Sequence, residues 1–201
     1  MLLFATFSAL PTPSKKKEHI HALTVDESLL SEIGAGSKEA FAAFYHQTKG
    51  AVYAFALSML KNHDEACDVM QETYLKIRAA AHLYQPMGKP MAWVFTITRN
   101  FCLMRLRSQN RLSPLAEEAE GLSPEALTFV EDHDDRMVLS AVLERLSAEE
   151  RNIVLLHAVS GMKHHEIASL LSIGLSTELS KYHRAIKKLK KALQEGGYHH
   201  A

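Results

Sequence analysis

The sequence predicts an all-α protein made of two small helical domains joined by an acidic flexible linker, the C-terminal domain a helix-turn-helix. Three observations carry this. Apolar residues recur at helical spacing, and β-branched runs are few. Only nine Gly and six Pro interrupt the 201 residues. One stretch, 112–136, changes character, with Ser113-Pro114, Gly121, Ser123-Pro124 and the run Glu131-Asp132-His133-Asp134-Asp135. A hydrophobic content of 47% supplies a core for one domain or two small ones.

In chain order, residues 1–25 read as a disordered leader. Met1 to Leu10 is apolar but lacks the preceding basic segment of a secretion signal, and Lys15 to Lys17 follow it instead. Asp26 to Ile33 reads as a short helix closed by Gly34-Ala35-Gly36. Ser37 is placed to cap a helix to about Lys61, with Phe41, Phe44, Tyr45, Val52, Phe55, Ala56 and Met59 inward.

After the break at Lys61 to Asp64 comes the helix on which the first domain, 26–111, is centred. Wound at about 100° per residue, Ala66, Val69, Met70, Thr73, Tyr74 and Ile77 share one face. Asp68, Gln71, Glu72 and Leu75 share the opposite one, within roughly 100° of arc. That second face reads either as a solvated surface with one stray leucine or as a docking patch, an apolar anchor ringed by polar groups. The loop Tyr84 to Pro90 holds two prolines and a glycine that end the helix, and Pro90 opens the next. That helix is expected to bury Trp93, Val94, Ile97, Phe101 and Leu103, and its end, Arg99 to Arg111, carries four Arg and no acid.

The last domain, 137–195, opens at Ser147-Ala148-Glu149-Glu150, a capping box, with a helix through Val159 ended by Gly161. Lys163 to Leu171 is a short helix, Ser172-Ile173-Gly174 a tight turn, and Ser176 to Gln194 a long closing helix. Two helices at such a turn are a helix-turn-helix or an ordinary αα-corner. Lys181, Arg184, Lys187, Lys188, Lys190 and Lys191 suit a phosphate backbone, and suit equally a solvated C-terminal helix end.

Charge supports a division by region. The 23 basic and 23 acidic residues cancel overall. Locally, 112–136 holds eight acids against one Arg, between a 26–111 block with ten bases and eight acids and a tail with nine and six. Cys67 and Cys102 match no zinc or redox spacing and read as reduced thiols of a cytoplasmic protein. No run approaches the ~18 apolar residues of a membrane span, so no membrane insertion is expected. His157, His164, His165 and Glu166 do not form a metalloprotease motif, and no catalytic residue, metal ligand or cofactor site is assigned.

Four motifs in series resemble the extracytoplasmic-function (ECF) subfamily of bacterial RNA polymerase sigma factors. Asp68-Val69-Met70-Gln71-Glu72-Thr73-Tyr74-Leu75 is similar to that family's D-x-x-Q-E-x-F-L signature. Trp93 with Ile97-Thr98-Arg99-Asn100 resembles its W-(L/V)-x-x-I-A-R-N, and Leu146 to Arg151 its L-(P/S)-x-x-x-R opening. Glu166 to Leu171 and Thr177 to Ala185 resemble its helix-turn-helix. The likeness runs from about Asp26 to Leu193.

The resemblance implies sigma regions 2 and 4, bound to core RNA polymerase and recognising the −10 and −35 elements of promoter DNA. It assigns polymerase docking to Asp68, Gln71, Glu72 and Leu75. Melted −10 DNA falls to the loop residues Tyr84, Met87 and Lys89 and to Arg99, Asn100, Arg105, Arg107 and Arg111, since unstacked bases need apolar surfaces and cations. Trp93 is expected to serve mostly as packing. Duplex −35 DNA falls to Ser176, Thr177, Ser180, Lys181 and Arg184, with Ser176 and Thr177 at the helix N-terminus against phosphate. The acidic linker resembles the family's connector, and either RNA mimicry or a plain tether fits its charge. An anti-sigma partner is also implied.

The chain departs from the family pattern in places. Thr177-Glu178-Leu179-Ser180-Lys181 brings its apolar residue one place late, so Leu175, Leu179, Tyr182, Ile186, Leu189 and Leu193 are expected to line the buried stripe. Glu178 would then lie near the groove, accepting from a cytosine amine or opposing phosphate. Met104 stands where an Asp is usual, and Gln85 to Gly88 lacks the common R-G-D/E stretch. Against the promoter-specificity reading stand a helix-turn-helix regulator acting without polymerase docking and, from a third class, a metal-dependent enzyme. The docking face separates the first two, because a regulator has no use for it.

Overall fold

The computed structural model describes residues 25–112 and 133–195. Two compact units divide near residue 122 and are taken separately. The leader, apart from Val25, and the acidic stretch 113–132 lie outside the described residues. Among those described, no helix is long and apolar enough to cross a membrane.

The first unit holds α1 (Ser28–Gly34), α2 (Lys38–Leu60), α3 (His63–Ala80), a 3₁₀ turn (Ala81–Leu83) and α4 (Pro90–Leu112). Its boundaries follow local chemistry. Ser37 accepts from the Ala40 N–H at 3.1 Å and starts α2. Lys61 takes a left-handed turn (φ 55°), and Asn62 accepts from the Glu65 N–H at 2.9 Å, so α2 stops and α3 begins within two residues. α1 approaches the 3₁₀ turn closely at Gly34, where a Cβ would lie 2.9 Å from the His82 Cα. Only a residue without a side chain fits there.

The core forms where α2, α3 and α4 meet. Phe44, Val52, Phe55 and Ala56 of α2 are buried as expected, with Phe41, Tyr45 and Met59 half-buried. α3 contributes Ala66, Val69, Thr73, Tyr74 and Ile77. Its polar atoms are satisfied internally: Thr48 donates to the Phe44 carbonyl at 2.6 Å, and the Tyr74 hydroxyl lies 2.7 Å from Thr48. Burial pushes the Tyr74 phenol well above its usual range.

α4 corrects the expected core face. It buries Met91, Val94, Phe95, Thr98 and Cys102, whereas Trp93, Ile97, Phe101 and Leu103 are only half-buried. Phe95, not Trp93, meets Phe55, with ring centroids 4.8 Å apart. α4 is apolar on nearly every side at Trp93-Val94-Phe95 and at Phe101-Cys102-Leu103, so periodicity alone does not select the face. Thr98 is tolerated inside because its hydroxyl donates to the Val94 carbonyl at 3.0 Å.

The second unit holds α5 (His133–Glu144), α6 (Ala148–Ser160), α7 (His164–Leu171) and α8 (Leu175–Glu195). α5 begins inside the stretch read as linker, because Val138, Leu139, Val142 and Leu143 give it an apolar face to bury. The capping box at Ser147 and Glu150 is present, and Gly161 (φ 64°) ends α6. Arg151 is buried and ties α6 to the end of α5, donating to the carbonyls of Leu143 (3.1 Å) and Leu146 (3.4 Å).

The closing helix is a second correction. Its buried face is Glu178, Tyr182, Ala185, Leu189 and Ala192, while Leu175 is exposed and Leu179, Ile186 and Leu193 are half-buried. The helix is rotated by about one residue from the leucine stripe, since Ala185 and Ala192 allow closer packing than Ile186 and Leu193 would. Glu178, expected near the DNA groove, is fully buried with its Oε1 3.0 Å from His164 Nδ1.

Candidate functional site

Three surfaces carry the residues singled out by the sequence. The first is the outer face of α3. The helix buries one side completely at Ala66, Val69, Thr73 and Ile77, which fixes the other side outward. There Asp68 and Gln71 are exposed, and Leu75 is 67% exposed. A leucine so open on a well-anchored helix contributes nothing to the unit's own core.

The patch is ordered by a cation from the neighbouring helix. Arg105 of α4 donates through Nη2 to Glu72 Oε1 at 2.5 Å, and its Nη1 lies 3.4 Å from Glu65 and 3.9 Å from Asp68. The Glu72 hydrogen bond holds the guanidinium above its usual pKa. Thus Arg105, assigned from the sequence with the −10 residues, stands within the α3 carboxylates. On the same helix as Leu75, Cys67 is half-buried near His63 (3.7 Å), and burial raises its thiol pKa, with Asp64 and Asp68 adding to it.

The second surface surrounds the loop between the 3₁₀ turn and α4. Met87 is 81% exposed, Lys89 is half-buried, and Gly88 adopts φ +72°, a conformation glycine takes without strain. The Tyr84 ring packs on half-buried Trp93, centroids 5.1 Å apart. One carboxylate, Glu27 at the start of α1, accepts from the Tyr84 hydroxyl and from the N–H groups of Met87 (2.9 Å) and Gly88 (3.0 and 3.1 Å). No sequence pattern pointed to Glu27, because its partners lie 57 to 61 residues away. Further along α4, Asn100 and Arg107 are exposed, and Arg99 is half-buried with its Nε lacking a hydrogen-bond partner. Burial, then Arg107, lowers the Arg99 pKa. Arg111 falls in the last turn of α4.

The third surface is the start of α8. Ser176, Thr177, Ser180 and Arg184 are exposed, and Ser180 donates to the Ser176 carbonyl at 2.8 Å. Lys181 is half-buried and ion-paired to Glu149, while Lys188 reaches Glu150 at 2.7 Å, so two lysines of α8 are already engaged with α6. Two histidines near this surface, His157 and His164, take structural positions. His157 and His164 stack 4.7 Å apart and both meet Tyr182 edge-on, and Glu166 caps the Lys163 N–H at 2.6 Å. Among the described residues, no group of three or more His, Cys, Asp or Glu is arranged to hold a metal ion.

Comparison with known proteins identifies the family. Residues 44–112 match the model of Sigma-70 region 2, and residues 136–189 that of Sigma-70, region 4. The chain is 30% identical over 169 residues to the ECF RNA polymerase sigma factor SigL of Mycobacterium tuberculosis, covering 82% of this chain and 96% of that protein. It is 27% identical over 173 residues to SigK of Mycolicibacterium vanbaalenii, covering 83% and 88%. Among solved structures it resembles the sigma factor RpoE of Bartonella quintana, crystallised with the anti-sigma factor NepR (TM-score 0.56, 26% identity, 77% of this chain and 96% of that one). The fold is shared with CnrH, solved with the cytosolic domain of CnrY (TM-score 0.52, 21% identity, 85% and 97% covered).

Proposed function

This chain belongs to the ECF RNA polymerase sigma factors, and from that membership we propose how its residues divide the work of promoter recognition. The protein is an alternative sigma factor that directs promoter-specific transcription initiation, and its family is not a class of enzymes. The observation that carries the assignment is Leu75, open to solvent on a helix whose far side is sealed. A helix-turn-helix regulator working without polymerase would gain nothing from such a residue.

Asp68, Gln71, Glu72 and Leu75 form the polymerase contact, an apolar anchor in a polar rim. Arg105 belongs with them as the cation that fixes the carboxylates, on the strength of its 2.5 Å contact to Glu72. Melted −10 DNA is held by Tyr84, Met87 and Lys89, with Arg99, Asn100, Arg107 and Arg111 along α4 for the strand. Aromatic and thioether surfaces stack on unpaired bases, and guanidinium groups neutralise phosphate. Trp93, half-open beside Tyr84, adds to that aromatic surface rather than to the core.

Duplex −35 DNA is met by the start of α8. Ser176 and Thr177 present hydroxyl and N–H donors to phosphate, and Ser180, Lys181 and Arg184 face the groove. The domain assignment follows: region 2 over 26–112 and region 4 over 133–195, joined by the acidic stretch between them. The protein works in the cytoplasm beside polymerase and promoter, without catalytic chemistry or cofactor. An anti-sigma partner covers its contact surfaces when it is silenced, a reading supported by the RpoE–NepR likeness.

Transcription by core polymerase reconstituted with this chain, on a promoter library, tests the reading. Enrichment of a defined −10 and −35 pair is expected. Transcription no higher than that of core polymerase alone would contradict it.

A further inference from the structure

Glu27 does something unusual for an acid at a helix start. It occupies the N-cap position of α1 in helical conformation (φ −64°, ψ −23°), yet its side chain makes no capping bond. Asp26 takes that role, accepting from the Ser28 N–H at 2.9 Å. The Glu27 carboxylate is thereby released toward the loop, where it gathers the Tyr84 hydroxyl and the successive N–H groups of Met87 and Gly88. Two adjacent amides turned onto one anion form a nest, here filled by the Glu27 carboxylate.

The helix carrying the carboxylate is itself fixed. Leu30 and Ile33 are buried, and Gly34 lies against the His82 backbone of the 3₁₀ turn that leads into the loop. The far end of the loop is anchored by buried Pro90 and Met91. Both ends are therefore held by packing, and Glu27 holds the middle. The residues left facing solvent are Gln85, Pro86, Met87 and Gly88, and the Tyr84 ring is kept on Trp93.

We propose that Glu27 is a positioning residue for −10 selectivity: through its bonds to Tyr84, Met87 and Gly88 it fixes the loop that reads the unpaired base. This rests on the reading that the 84–89 loop contacts the −10 element. The charge has a second consequence. A carboxylate beside DNA repels phosphate, and the neutral donors around Glu27 bind its oxygens without cancelling that charge. Removing the charge should therefore loosen discrimination without loss of general DNA affinity, a combination that simple unfolding does not produce.

The test uses holoenzyme reconstituted from core polymerase and full-length chain, with promoters taken from a −10-randomised library. Selectivity is the activity ratio between the preferred −10 sequence and its single-base variants. Glu27→Gln is nearly isosteric but presents an amide NH₂ to the Gly88 N–H. It is expected to lower selectivity about fivefold to tenfold, the scale of one lost hydrogen bond of ordinary strength. Affinity for core polymerase should stay within twofold, and affinity for non-promoter DNA should be unchanged or higher. Tyr84→Phe should lower selectivity in the same direction, and the double variant should be no worse than the poorer single, because both act through one contact.

Unchanged selectivity in Glu27→Gln, or a loss matched by weaker core binding and a lower melting temperature, would overturn the proposal. If Glu27→Gln does not fold, Glu27→Asp, which keeps the charge but is one methylene short of the loop amides, decides it by the same ratio. Met87→Ala separates the two levels. Selectivity lost in Met87→Ala but kept in Glu27→Gln sinks the role of Glu27 alone, whereas selectivity kept in both sinks the loop reading with it.

Discussion

Arg105 and Glu72 meet across α4 and α3 at 2.5 Å, and the same guanidinium reaches Glu65 at 3.4 Å and Asp68 at 3.9 Å. One cation thus sets the rotamers of the acids around Leu75 before any partner arrives. Because the pair is partly exposed, its worth to folding is small, about 0.2–1 kcal/mol. Its worth to binding lies in preorganisation. Arg105→Gln is expected to weaken core polymerase affinity about threefold to tenfold with melting temperature nearly unchanged, the scale of a rim contact rather than an anchor. Fluorescence titration of core with labelled chain measures it, and −10 selectivity in the same variant should stay as in the parent.

Gly34 provides a packing test. A methyl group there would sit 2.9 Å from the His82 Cα and 3.0 Å from its N, both backbone atoms that cannot swing aside. Gly34→Ala is expected to destabilise the first unit by about 1–3 kcal/mol through overpacking, despite alanine's better helix propensity. Chemical denaturation of the full chain reads this. A stabilised variant would show that the α1 contact with the 3₁₀ turn is loose.

Glu178 separates stability from recognition. It is fully buried, with one oxygen on His164 and the other without a hydrogen-bond partner. Glu178→Ala is expected to cost about 1–3 kcal/mol, because it leaves His164 without its acceptor. Promoter selection at the −35 element should keep the same base preferences. A changed −35 preference would place Glu178 at the DNA after all.

His157 gives a pH dependence of known sign. Burial lowers its pKa from the ordinary 6.5, outweighing the Met162 carbonyl, which accepts from Nδ1–H at 2.9 Å and favours the protonated ring. His164, Glu178 and Tyr182 are the titratable groups facing it. A group held neutral in the fold binds a proton more readily once unfolded. Its contribution is therefore complete above about pH 6.5 and is lost as pH falls through that value toward the lower folded-state pKa. The second unit should melt at progressively lower temperature from pH 7.5 to pH 5.5, and His157→Gln should flatten that slope. Calorimetry of the full chain over this range is the measurement.

How much of this was legible in the letters depends on how local each signal is. Helix boundaries were, because Ser37, Pro90, the Ser147–Glu150 box and Gly161 act on residues one turn away. The outward face of α3 was too, because Val69, Thr73 and Ile77 leave the wheel no other solution. The buried face of α4 was not, since Trp93 to Phe95 is apolar all round and only contact with Phe55 chooses Phe95. In α8 the leucines pointed to the wrong stripe, because the partner that admits Glu178 to the interior is His164, fourteen residues back. The contacts of Glu27 with the loop and of Arg105 with the α3 acids were out of reach for the same reason, their partners lying 57 and 33 residues distant.

The most direct measurement is the affinity of core RNA polymerase for the full chain carrying Leu75→Asp together with Glu72→Lys. Leu75 is exposed and Glu72 partly so, so circular dichroism of the variant should match the parent. Binding is expected to weaken at least about thirtyfold, as for the loss of an interface anchor worth roughly 2–4 kcal/mol. Parental affinity in a correctly folded variant would contradict the assignment of the α3 face as the polymerase contact.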